Sequence, residues 1–85
     1  MKANVTTSSS AAIELPAKRR ALLIQNESDT AIRIAFGKAA DADSIVLPAT
    51  TGSLTLFDPN FFEKGLMIYA IHAGSGTKQL TYDTF

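Results

Sequence analysis

The sequence predicts an all-β protein: a compact antiparallel β-sandwich or barrel of about seven short strands, preceded by a flexible N-terminal arm. Three observations predict it. Short β-favouring runs recur roughly every ten residues, clusters of Gly, Pro, Asn, Asp or Ser separate them, and apolar and polar residues alternate within them. No helical periodicity competes. The chain has 85 residues, 46% hydrophobic and 19% charged, which suits one small packed domain and excludes both two lobes and intrinsic disorder.

Residues 2 to 10, Lys-Ala-Asn-Val-Thr-Thr-Ser-Ser-Ser, are short and polar, so residues 1–10 read as a flexible arm and 11–85 as a single β domain. Deleting the arm is expected to leave the fold intact. The strand runs are Ala11 to Leu15, Arg20 to Asn26, Thr30 to Phe36, Ser44 to Leu47, Ser53 to Asp58, Leu66 to His72 and Lys78 to Asp83. Alternation assigns their core faces: Leu22 and Ile24; Ile32, Ile34 and Phe36; Ile45 and Leu47; Leu54 and Leu56; Met67, Tyr69 and Ile71; Leu80 and Tyr82. Leu66, Ile68 and Ala70 make the second face of their strand apolar too, which predicts a central or externally covered strand.

The turns are read from the same chemistry. Asn26-Glu27-Ser28-Asp29 predicts a tight hairpin between the second and third runs, and Ala73-Gly74-Ser75-Gly76-Thr77 a glycine-rich hairpin between the last two. Pro48 to Gly52 reads as a short reversal, and Lys38 to Asp43 as a loop with enough alanine for a helical turn. Asp58 to Gly65 holds two adjacent aromatics, Phe61 and Phe62, of which one is expected to cap the end of the barrel or sandwich and the other to stay exposed.

Eight basic and eight acidic residues cancel, which argues against a chain that lives on phosphate backbones or anionic lipid. The charge is unevenly placed. Lys2, Lys18, Arg19 and Arg20 against Glu14 give the first 20 residues a net +3, and the rest carry −3. No apolar run reaches the ~20 residues of a membrane span, and residues 1–10 hold no signal-like apolar stretch, so a soluble compartment is expected. The sequence has no Cys, so no disulfide staples so small a core, and oligomerisation is the expected reinforcement.

Candidate chemistry is sparse. His72, the only imidazole, ends an apolar strand beside a glycine turn and reads as structural or exposed rather than catalytic. Asp41 with Asp43, or Asp58 with Glu63, could pair on a hard cation, but such spacings arise readily in turns and no Ca²⁺-loop pattern is present. Gly74-Ser75-Gly76-Thr77-Lys78 lacks Walker spacing and leads into a strand, so it reads as a turn, not a phosphate cradle. No catalytic, metal or cofactor site is expected, and no cofactor. The candidate partner-binding residues are Lys18, Arg19 and Arg20, at the base of the arm, with Phe61 and Phe62.

Arg19-Arg20-Ala21-Leu22-Leu23-Ile24-Gln25-Asn26, then Ala31 to Gly37, then Ile45 to Ala49 with Gly52 to Leu56, then Tyr69 to Ala73 with Ser75-Gly76-Thr77 form one succession. It resembles small β-structured virion accessory proteins of tailed bacteriophages, which decorate or cement capsids or lie at the base of fibres. The resemblance spans about Ala11 to Asp83 and implies a non-enzymatic structural protein, made in the host cytoplasm and located in the virion. Its partners would be the major capsid protein or other virion proteins, with no nucleic acid and no membrane, and a homo-oligomer, a trimer by preference. The alternative expectation is a small cytosolic ligand-binding or adaptor β module.

Overall fold

Alternation and β-branched residues do produce strands at all seven expected places, and the strands pair over long range into two four-stranded antiparallel sheets. A computed structural model describes residues 1–19, 21–57 and 65–85. Within them lie β1 (Lys2–Val5), β2 (Ser10–Leu15), β3 (Ala21–Asn26), β4 (Ile32–Phe36), β5 (Ile45–Leu47), β6 (Gly52–Phe57), β7 (Leu66–His72) and β8 (Lys78–Thr84). One sheet runs β1-β8-β3-β6 and the other β2-β7-β4-β5. Of the two expected architectures the fold is the sandwich.

The two orders run in step. β1 and β2, β8 and β7, β3 and β4, and β6 and β5 hold corresponding places in opposite sheets, so chain neighbours face each other instead of sharing a ladder. This is the strand order of a jelly roll, two interlocked Greek keys. Among the described strands only β4 and β5, consecutive in the chain, are also hydrogen-bonded neighbours, through Ile32↔Leu47, Arg33↔Val46 and Ile34↔Ile45.

Two expected hairpins are therefore arches. The β3–β4 connection leaves one sheet and enters the other, and the Gly74–Gly76 turn does the same between β7 and β8. The first is held by Asn26, whose side chain is fully buried. Its amide nitrogen donates to Thr30 O and Leu47 O, both at 2.9 Å, and to Pro48 O at 3.1 Å; with two N–H groups for three carbonyls, one hydrogen is shared. Its oxygen accepts from Ser28 N at 3.0 Å and Ser28 Oγ at 2.6 Å. One amide thus ties the β3–β4 arch to the β5–β6 arch, and Thr50 N donating to Ser28 O at 2.9 Å closes the same contact. Gly52 is required beside it, because a Cβ there would meet Pro48 N and O at 2.6 Å.

The core lies between the sheets: Val5, Ile13, Leu15, Leu22, Ile24, Ile32, Ile34, Leu47, Ile68 and Leu80, with Ala3 and Ala70, and Leu54, Leu56, Phe36 and Tyr82 partly buried against it. β7 corrects the expected face. Ile68, Ala70 and His72 point inward, while Tyr69 and Ile71 are half-buried and Met67 exposed on the outside. Register decides this, since Ala70 is opposite Ile34 and Ile68 is opposite both Phe36 and Ile13, on strands with only one apolar face to bury. Ile45 also departs from its core assignment, remaining 49% exposed on a three-residue edge strand. No helix forms over residues 38–43. Asp41 Oδ1 there accepts Asp43 N at 2.9 Å, an Asx turn that serves the β4–β5 reversal.

The arm is the largest departure. Lys2–Val5 form β1, hydrogen-bonded to β8 from Lys2↔Thr81 to Val5↔Lys78, with Ala3 and Val5 buried. Only two small apolar residues mark this strand in the sequence, and β8's ladder does the rest. Residues 6–9 then turn the chain into β2, with Thr6 O accepting His72 N at 3.1 Å.

Two outcomes are expected in thermal unfolding. Asn26→Ala leaves the buried Leu47 carbonyl without its donor and should cost about 2–4 kcal/mol, a large share of a small domain's stability. Deleting residues 1–5 exposes the β8 edge and the pocket left by Val5, and should lower the melting temperature rather than leave it unchanged.

Candidate interaction surfaces

The two outer faces of the sandwich differ in chemistry. On the β1-β8-β3-β6 sheet the outward positions whose side chains are described are Lys2 and Asn4, Gln79, Thr81 and Asp83, Ala21, Leu23 and Gln25, and Ser53 and Thr55, a mostly polar set. On the β2-β7-β4-β5 sheet they are Ala11 and Glu14, Met67, Tyr69 and Ile71, Arg33 and Ala35, and Val46. Met67 is 38% and Val46 44% exposed. A concavity of about 380 Å³ opens on this face, with Ala31, Val46 and Ile71 as apolar walls and Arg33 and Asp41 as its charges. Arg33 is positioned from its own sheet, Nη1 donating to Ser44 O at 2.9 Å.

The two ends differ as well. At one end, where β3 and β7 finish and β6 begins, the arches are locked by side chains. His72 is buried there, its Nδ1 accepting Gly74 N at 3.1 Å, so Nε2 carries the hydrogen and donates to Gly76 O at 2.8 Å. Both ring nitrogens are thus occupied in holding the β7–β8 turn, which decides between the structural and the exposed roles that the sequence left open for this residue. A polar groove of about 580 Å³ at this end is crossed by the Lys78–Asp29 ion pair, 2.9 Å long. The hydrogen bond from Lys78, then that from Thr30 and the Lys78 charge, hold the Asp29 carboxyl below its ordinary value.

The opposite end carries the expected basic segment. Lys18 and Arg19 lie exposed in the β2–β3 connection, and Lys18 has φ 67°, a left-handed conformation that costs a non-glycine residue about 1–2 kcal/mol. Gly65 packs against the start of this connection: a Cβ on it would meet Leu15 O at 2.9 Å and Ala17 N at 3.2 Å, and its φ of 79° also favours glycine. Phe57 and Gly65, which flank the segment containing Phe61 and Phe62, both sit at this end. Arg20, Phe61 and Phe62 themselves lie outside the described residues, as do Asp58 and Glu63. Sequence reasoning missed Phe85, 61% exposed, which pairs with Ala21 by two backbone bonds of 3.0 and 3.2 Å and so places an aromatic beside the basic connection.

The candidate cation pair Asp41 and Asp43 is engaged locally, Asp41 Oδ1 with Asp43 N and with Ser44 Oγ at 3.3 Å. Among the described residues no group of three or more His, Cys, Asp or Glu gathers as a metal site, and no buried side-chain nitrogen or oxygen lacks a partner.

Removing the cation with Lys78→Met should raise the Asp29 pKa toward its ordinary value, read by NMR titration. Because the folded value is the depressed one, the small stabilisation from this pair is present at neutral pH and is lost as pH falls through the folded pKa. The variant should show a weaker acid-side dependence, since the Thr30 hydrogen bond to Asp29 remains.

No family model, curated protein or solved structure matches this chain.

Proposed function

We propose that the chain is a non-enzymatic structural component of a bacteriophage virion, which attaches to the major capsid protein or another virion protein and reinforces it as decoration or cement, or connects it to a fibre. The observation that carries this reading is the division of the sandwich into one polar and one apolar outer face. Such a division suits a chain that works with one side covered by a neighbour and the other in water. Two further features support it. The succession of strand runs resembles that of small phage virion proteins, and the jelly-roll order is one that capsid domains use. In this reading Lys18 and Arg19, with the exposed Phe85 beside them, supply a cationic and aromatic contact to an acidic patch of the lattice protein.

Mass spectrometry of gradient-purified particles from the source of this coding sequence should recover its peptides in a fixed ratio to the major capsid protein. Recovery only from the soluble lysate would overturn the reading in favour of a cytosolic module. Lys18→Gly removes a charge while relieving the left-handed backbone, so the fold should be at least as stable and attachment to the particle less sensitive to salt.

A further inference from the structure

On the outer face of the β2-β7-β4-β5 sheet the ladder registers place opposite charges symmetrically about one aromatic. Ile71, Tyr69 and Met67 follow one another along β7. Arg33 is directly opposite Ile71 on the β4 side, and Glu14 is directly opposite Met67 on the β2 side. Tyr69 stands midway, flanked by Ala35 on β4 and Ala11 on β2. Arg33 and Glu14 are therefore diagonal corners of a patch whose centre is Tyr69 and whose remaining positions are apolar or small.

We infer that this face is an isologous interface between two copies of the chain, with the two-fold axis at Tyr69. A two-fold rotation about an in-plane axis perpendicular to the Arg33–Glu14 diagonal brings the sheets face to face and lays each Arg33 on the other copy's Glu14. Two ion pairs form at once, with the Tyr69 rings meeting at the axis and Ile71 and Met67 covered between them. Arg33 keeps donors for this, since Nη1 alone is engaged with Ser44 O, and Glu14 is exposed. Size agrees with a modest contact. The molecule measures 35 × 22 × 20 Å, so one face offers at most roughly the ~800 Å² per partner of a standard interface. The dimer should be reversible, with a dissociation constant on the order of micromolar to tens of micromolar.

The inference deepens the proposed function, in which this face is covered in an assembly, by naming the neighbour as a second copy. It makes the basic unit a pair, not the expected trimer. Sedimentation equilibrium of the full chain tests it separately from the particle experiment. A monomer–dimer equilibrium weakened by salt is expected. Glu14→Lys, an exposed substitution, should weaken the dimer about tenfold or more because symmetry places it in both pairs, and Tyr69→Lys at the axis should abolish it. The double variant Glu14→Lys/Arg33→Glu, shown by circular dichroism to be folded, should recover the dimer, whereas Gln25→Lys on the opposite face should leave it unchanged. A monomer at all accessible concentrations, a trimer, unaltered dimerisation of Glu14→Lys and Tyr69→Lys, or a folded double variant that stays monomeric would each overturn the inference. If the double variant does not fold, the two single variants decide.

Discussion

The Asn26 side chain, together with the Thr50 N–Ser28 O bond beside it, joins the β3–β4 and β5–β6 arches at one end of the sandwich. A primary amide is one of the few side chains able to donate and accept at the same site. Here its nitrogen reaches the carbonyls of Thr30, Leu47 and Pro48 while its oxygen holds Ser28. Because β3 enters the arch in one sheet and β4 leaves it in the other, the amide also sets how the sheets are stacked at that end. The hydrogen-bond requirement of a buried polar group makes this contact specific, since leaving such a group unpaired costs more than a paired one contributes.

From that anchored end the rest of the molecule acquires direction. His72 fastens the β7–β8 arch and the Asn26 network fastens two more, while the far end exposes Lys18, Arg19 and Phe85. The faces are polarised too: strands that bury leucine and isoleucine inward present glutamine, threonine and lysine on one side and tyrosine, isoleucine, methionine and valine on the other. Small size explains the arrangement physically. A domain of 85 residues buries a modest fraction of its surface, so apolar area left on one sheet is stability available to a neighbour that covers it.

Strand positions were legible because alternation and turn residues are local properties. Ile32 and Ile34, Leu22 and Ile24, and Leu80 each fell on the predicted inner face, since a polar residue (Arg33, Gln25, Gln79 or Thr81) marks the other side of each strand. β7 is apolar on both, and there size misleads: Tyr69 looks like a core residue, yet its hydroxyl would need a partner inside, whereas Ala70 fits between the sheets and His72 must face its own turn. β1 was hidden for the opposite reason, being too short and too weakly apolar to signal a strand without β8 beside it.

The sequence by itself determined the all-β class, the seven principal strands and their limits to within a residue or two, and the basic segment at Lys18 and Arg19. Only the tertiary structure decided that successive strands alternate between sheets, that the N-terminal residues complete one of them, and which face of β7 is exposed. The reason is that a hairpin and an arch call for the same Asn, Asp, Ser and Gly chemistry. The choice between them is made by pairings between residues far apart in the chain, such as Lys2 with Thr81 or Ile24 with Tyr82, which no local pattern encodes.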